Sequence, residues 1–237
     1  MTGLLRNATH SEEIPVVFLY PKDWKRRTVI WVDPAGKRGL FKDAESAEPR
    51  PEVRRLLDAG VTVAGADLLY QGEFLADGKP VTRTRTVKNP REAAAYTFGY
   101  NPTLFAQRVH DILTLIQYIG SHERKSESIE IVGLNGAGPW VAAARVQAGD
   151  AVHRIAIDTG GFRFGRVLDI HDVNFLPGGA KYGDLPGMLA LAGSANALLM
   201  GEAGSSNASN GSSKTASNGQ HAAARTAVDW LLNQRGN

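Results

Sequence analysis

Short apolar runs, too brief for helices, alternate along this chain with longer stretches in which apolar residues recur every three or four positions. The runs are residues 15–20 (PVVFLY), 28–33 (TVIWVD), 61–69 (VTVAGADLL), 129–132 (IEIV), 152–158 (VHRIAID) and 197–200 (ALLM). Most are rich in β-branched residues and bounded by turn formers, so each reads as a buried strand. Helical spacing marks residues 50–59, ended by Gly60, and a long segment from Pro102. There Leu104, Phe105, Val109, Ile112, Leu113, Ile116 and Ile119 share one face, with Asn101 as the expected N-cap and Gly120 as the stop. Further helices are expected after Pro139, within residues 175–193 and at residues 221–233, where Ala224, Ala227, Val228, Leu231 and Leu232 form an apolar face.

Strands alternating with helices predict an α/β architecture: a doubly wound, mostly parallel sheet with helices on both faces. The first two runs, joined by the polar turn PKDWKRR, are expected to pair as a hairpin. Residues 74–101 lack periodicity and read as a surface excursion. Residues 204–220 have the composition of a flexible Ser/Asn/Gly linker. The expected organisation is one domain over residues 1–203, that linker, and a C-terminal helix over residues 221–237 that packs back on the domain.

The densest signal is the turn GLNGAG, between the run ending at Val132 and the helix that Pro139 opens. A strand, sharp glycine turn and helix serve two chemistries. In the nucleophile elbow, G-x-S-x-G, a strained turn exposes one side chain above the sheet and the next N–H helps form an oxyanion hole. Here the exposed position is Asn135, which tolerates positive φ but is no nucleophile. In dinucleotide binding, G-x-G-x-x-G, Gly133 and Gly138 match the outer glycines and Asp158 supplies the acidic residue about 20 positions on. Asn135 then stands where the middle glycine should be. His110 with Asp111, and His171 with Asp172, are expected to be packing and loop residues instead of bases or metal ligands.

The 27 basic and 24 acidic residues among 237 leave a net charge of +3, which gives no footing for nucleic acid. There are no cysteines, so disulfides and thiolate metal sites are excluded. No apolar run reaches the roughly 18 residues of a membrane span, and MTGLLRNATHSEEIP has no signal core. A chain not exported as written, with no membrane partner, no cofactor and no metal, is expected.

The early strand pair, the DPAG loop, GVTVAGADLLYQGE, the long helix, GLNGAG and KYGDLPGMLALAG together resemble the α/β-hydrolase superfamily. The segments GYNPTLFAQRVHDIL, GAGPW, AIDTGGFRF and FLPGGAKYGDLPGMLAL are similar to its bacterial acetyl-xylan-esterase-like and dienelactone-hydrolase-like members, which are often exported. The resemblance runs from about Val16 to Met200 and implies carboxylic-ester hydrolysis. It places the nucleophile at Asn135, the oxyanion donors at Gly136, Ala35 and Gly36, the acid at Glu202 and the histidine at His221. With an amide in place of the hydroxyl, the implied protein is an impaired hydrolase that binds a small acyl ester or carbohydrate. The competing expectations are an NAD(P)-binding oxidoreductase using GLNGAG and Asp158, and a non-catalytic domain of a larger exported protein.

Overall fold

The computed structural model describes residues 1–43, 45–85, 93–193, 196–202 and 216–233. Its strands are β1 (Thr2–Asn7), β2 (Glu12–Leu19), β3 (Arg27–Val32), β4 (Val61–Ala66), β5 (Ser128–Gly133), β6 (Arg154–Asp158) and β7 (Ala197–Met200). The helices are α1 (Pro51–Asp58), α2 (Ala94–Phe98), α3 (Leu104–Ser121), α4 (Gly138–Ala148), α5 (Asp184–Ala192) and α6 (Ala216–Asn233). One seven-stranded sheet runs β1-β2-β4-β3-β5-β6-β7. The pairs β1/β2 and β2/β4 are antiparallel and the other four are parallel. The expected doubly wound, mostly parallel sheet is present.

The expected hairpin is not. β4 lies between β2 and β3, and β2 instead pairs with β1, a strand that the sequence reading did not identify. Strands buried on both faces carry no mark of their neighbour, because Val16, Val17 and Phe18 all find apolar cover whichever strand lies beside them. β1 escaped notice because its burial is slight: Leu4 is exposed and only Leu5 packs on the core.

The two layers of helices follow from which strand residues point to each face. Phe18, Ile30, Ile131 and Ile157 face α3, α4 and α5, through Phe105, Ile112, Trp140, Val141 and Leu185 among others. Val17, Val29, Trp31, Val63 and Val132 face α1 and α6, through Val53, Leu56, Ala224, Val228 and Leu231. The C-terminal helix packs on the sheet and begins at Ala216, inside the stretch assigned to the linker. Residues 204–215 of that stretch lie outside the described residues. The far end of α6 is fixed by Arg27 and Arg154, which both donate to the Leu231 carbonyl while pairing with the buried Glu130 carboxylate of β5. Two guanidiniums at a helix C-terminus complement its partial negative charge.

The long helix is capped by Thr103, whose hydroxyl accepts from the Ala106 N–H at 3.2 Å, two residues beyond the expected Asn101. Within the surface excursion residues 94–98 form α2, while residues 86–92 lie outside the described residues.

Candidate site at the carboxyl edge of the sheet

The crossover from β3 to β4 passes through α1 on one face, and that from β4 to β5 through α3 on the other. The winding reverses between the carboxyl ends of β3 and β5. In open α/β sheets that reversal opens the crevice where ligands bind. Asp33 follows β3 and Asn135 follows β5, so the two meet there.

Asn135 adopts φ 58°, in the left-handed region, followed by Gly136 at φ 102°. The sharp corner expected of this turn is present. The side chain, however, is turned onto the neighbouring strand end. Its Nδ2 donates to Asp33 Oδ2 at 2.6 Å. The other carboxylate oxygen of Asp33 accepts from the Ala35 N–H at 2.9 Å, and the Asp33 carbonyl accepts from the Gly36 N–H at 2.9 Å. Burial raises the Asp33 pKa, against the lowering effects of the Ala35 N–H, the Asn135 amide and the charge of Arg50. Ala35 and Gly36 were expected to offer N–H groups to a ligand; both are spent on Asp33. Of the predicted oxyanion donors this leaves Gly136, which is exposed.

The expected acid and base lie elsewhere. Glu202, just past β7, accepts from Arg163 at 3.1 Å and from the buried hydroxyl of Thr159 at 2.5 Å. The Arg163 hydrogen bond lowers its pKa in spite of burial, helped by Thr159. His221 is exposed in the second turn of α6, with Nδ1 3.7 Å from Glu52 Oε1 and 3.5 Å from Arg50 Nη2. Its imidazole belongs to the α1–α6 layer. The structure brings neither Glu202 nor His221 to Asn135, and the residue that meets Asn135 is Asp33.

The glycines of the turn serve packing. A Cβ at Gly133 would lie 2.6 Å from Val141 Cγ2, and one at Gly138 would lie 2.2 Å from the Asp158 carbonyl oxygen. Both let α4 sit close against β5 and β6. Asp158 Oδ1 accepts from the Gly160 N–H at 2.9 Å, which fixes the loop after β6.

His110 and Asp111 lie beside Glu12, a partner that their spacing in the sequence did not indicate. His110 Nδ1 lies 3.0 Å from Glu12 Oε2, and Asp111 Oδ2 accepts from the Leu69 N–H at 2.7 Å. Burial pushes the Asp111 pKa up to about 7, opposed by the Leu69 N–H, reinforced by Glu12 and opposed again by Arg108. Potential ligand atoms of Glu12, His110 and Asp111 lie within 4.8 Å of one another. The carbonyl of His171 accepts from the Thr84 N–H at 2.8 Å, joining its loop to the surface excursion. Asp33 was detectable, since a carboxylate closing a buried parallel strand sits on the ligand-binding edge. Its pairing with Asn135, 102 residues away, was not.

No family model matches this chain, and no curated protein sequence matches it. Among solved structures it is similar to a thermostable carboxyl esterase from Bacillus coagulans, at 12% identity and TM-score 0.47, over 69% of this chain and 45% of that one. It is also similar to Est1E from Butyrivibrio proteoclasticus, solved with ferulic acid, at 15% identity and TM-score 0.41, over 65% and 50% of the two chains. A lipase in an open form matches at 15% identity and TM-score 0.45, over 71% and 48%. Each match spans half or less of the other protein. At such identities the likeness concerns the fold alone. Among the described residues the fold is an α/β one: a mostly parallel seven-stranded sheet in which β2 alone runs against the other six strands, with helices on both faces.

Proposed function

We propose that this chain is a relative of the carboxylic-ester hydrolases, of acetyl-xylan-esterase or dienelactone-hydrolase type, that has lost nucleophilic hydrolysis. The observation that carries the reading is the 2.6 Å hydrogen bond from Asn135 to Asp33. A nucleophile at this corner must stand free above the sheet beside a base. Here the amide is a donor pinned to a buried carboxylate, and the N–H groups of Ala35 and Gly36 are taken by the side chain and the carbonyl of the same residue. The corner keeps its shape and acts as a clasp between β3 and β5. Any acyl ester or carbohydrate met at this edge would be bound without being cleaved.

The experiment is turnover of 4-nitrophenyl acetate and butyrate by the purified chain. The expected rate equals the buffer background, and it stays there in Asn135→Ser, because among the described residues no imidazole is hydrogen-bonded to Asn135. Turnover that Asn135→Ala abolishes would overturn the proposal. Turnover that survives Asn135→Ala would assign the chemistry to another residue.

One observation favours the dinucleotide alternative: β6, which ends in Asp158, lies beside β5, so the turn and the acidic residue are neighbours. Against it, the Asn135 side chain stands within the turn and Gly138 is already filled by the Asp158 backbone. Titration with NADH and NADPH decides between them, and micromolar binding would promote this alternative.

A further inference from the structure

Away from the Asn135 corner, the turn that joins β1 to β2 rests against α3 and gathers four side chains of the kinds that bind metals. Glu12 opens β2, His10 stands in the turn before it, and His110 and Asp111 are neighbours on α3. Potential ligand atoms of Glu12, His110 and Asp111 all lie within 4.8 Å of one another. The His10 ring stands edge-on to the His110 ring, their centroids 4.7 Å apart. Only folding brings the two pairs together, which is why His110 and Asp111 by themselves gave no metal signal in the sequence.

The polar atoms of this cluster are poorly satisfied by the protein. His110 Nδ1 is buried and makes no hydrogen bond, although Glu12 Oε2 is 3.0 Å away. A buried nitrogen and a carboxylate oxygen placed side by side without a hydrogen bond are a pair that one positive ion satisfies together. Asp111 is 6% exposed and uses Oδ2 for the Leu69 N–H, while Glu12 takes a 3.5 Å contact from the Asn7 amide. Each carboxylate retains lone pairs. Among the described residues no lysine or arginine forms an ion pair with either one. Arg6 pairs with Glu13, and Arg108 acts on Asp111 through its charge alone, its guanidinium turned to the Leu69 and Tyr70 carbonyls and the Trp140 ring. Buried charges are ordinarily paired or bound to metal.

We infer that Glu12, His110 and Asp111, with His10 as the fourth ligand, form a binding site for one divalent transition ion of the zinc class. Imidazoles mixed with carboxylates suit zinc and its neighbours, where calcium and magnesium take oxygen ligands. Bonds of about 2.0–2.2 Å set the donor atoms of a tetrahedral ion roughly 3.4 Å apart. The 3.0 Å pair is already that close, and the 4.8 Å limit of the cluster leaves a closure of about 1 Å, within the reach of side-chain rotation. His10 is exposed and comes in by turning its side chain. His110 also lines a cavity of about 620 Å³ between β1 and α3, which gives the ion its entry. Such an ion staples the β1–β2 turn onto α3. It makes no use of Asn135 or Asp33, so the site stands whether or not the protein hydrolyses esters.

The test is calorimetric titration of the full chain, stripped with EDTA and carrying no histidine tag, with zinc chloride beside calcium chloride. Saturable one-to-one binding of zinc is expected, with a Kd of about 1 μM or below and calcium weaker by about a hundredfold or more. Zinc at about a hundredfold excess over its Kd should raise the thermal midpoint by about 5 °C or more. Glu12→Gln and His110→Ala alter partly exposed side chains, and each should weaken zinc by about tenfold or more, with thermal unfolding of the zinc-free variants confirming that they are folded. His122→Ala, at the far end of α3, controls for binding by surface imidazoles and should leave the Kd unchanged. Absence of saturable one-to-one binding, binding unchanged in folded Glu12→Gln or His110→Ala, or binding lost in His122→Ala would overturn the site. Binding unchanged in His10→Ala would overturn the fourth ligand, and calcium binding as tight as zinc would overturn the class of metal.

Discussion

The middle of the carboxyl edge and its β7 end each hold a carboxylate just past a strand, yet they push it in opposite directions. At the β3/β5 corner Asp33 is 5% exposed and its side-chain partner is the neutral amide of Asn135. Burial dominates and its pKa rises. At the β6/β7 rim Glu202 meets the guanidinium of Arg163, the ion pair outweighs burial, and its pKa falls. At the corner the strands are joined through an amide, and at the rim through an ion pair. Catalysis of the hydrolase kind needs an acid, a base and a nucleophile in one chain of contacts across this edge. Among the described residues Asn135 pairs with Asp33, and Glu202 pairs with Arg163 and Thr159.

The sharpest way to break the comparison is Asp33→Ala. It strips the acceptor from both Asn135 and the Ala35 N–H, and a loss of about 2 kcal/mol in urea unfolding is expected. A loss near zero would mean that the clasp contributes nothing to the fold.

Next is the pH dependence of the corner and the rim. The Asp33 pKa is raised above its unfolded value of 3.8, so its contribution to stability is greatest below that value and declines as pH rises through the folded pKa. The Glu202 pKa is depressed below 4.5, so its contribution is present above that value and disappears as pH falls through the folded pKa. Unfolding free energies between pH 3 and 7 for the unaltered chain, Asp33→Asn and Glu202→Gln should give difference curves of opposite slope. Slopes of the same sign would erase the contrast.

The smallest effect belongs to the rim pair itself. A double-mutant cycle on Glu202→Gln and Arg163→Met should give about 0.5 kcal/mol, falling with added salt, because both side chains are partly exposed. A coupling well above that would show that the rim is as sequestered as the corner.

How much of this was legible beforehand depended on the range of the interaction. Elements set by neighbouring residues were read nearly to their ends: α1, β5, α4 and β7 lie where apolar spacing, Pro139 and the flanking turns placed them. The left-handed conformation of Asn135 was readable too, from an amide residue between glycines. Pairings made over long separations were not. The partner of β2, the meeting of Asn135 with Asp33 and the seating of α6 by Arg27 and Arg154 leave no local trace.

What the sequence determined by itself was therefore the periodicity, and with it a doubly wound α/β sheet bearing a bent turn without a hydroxyl. Only the tertiary structure decided which groups met at that turn. A side chain's hydrogen-bonding capacity is a property of the residue, but the partner that uses it is set by packing between segments far apart in the chain. At position 135 that partner proved to be a buried carboxylate instead of an imidazole.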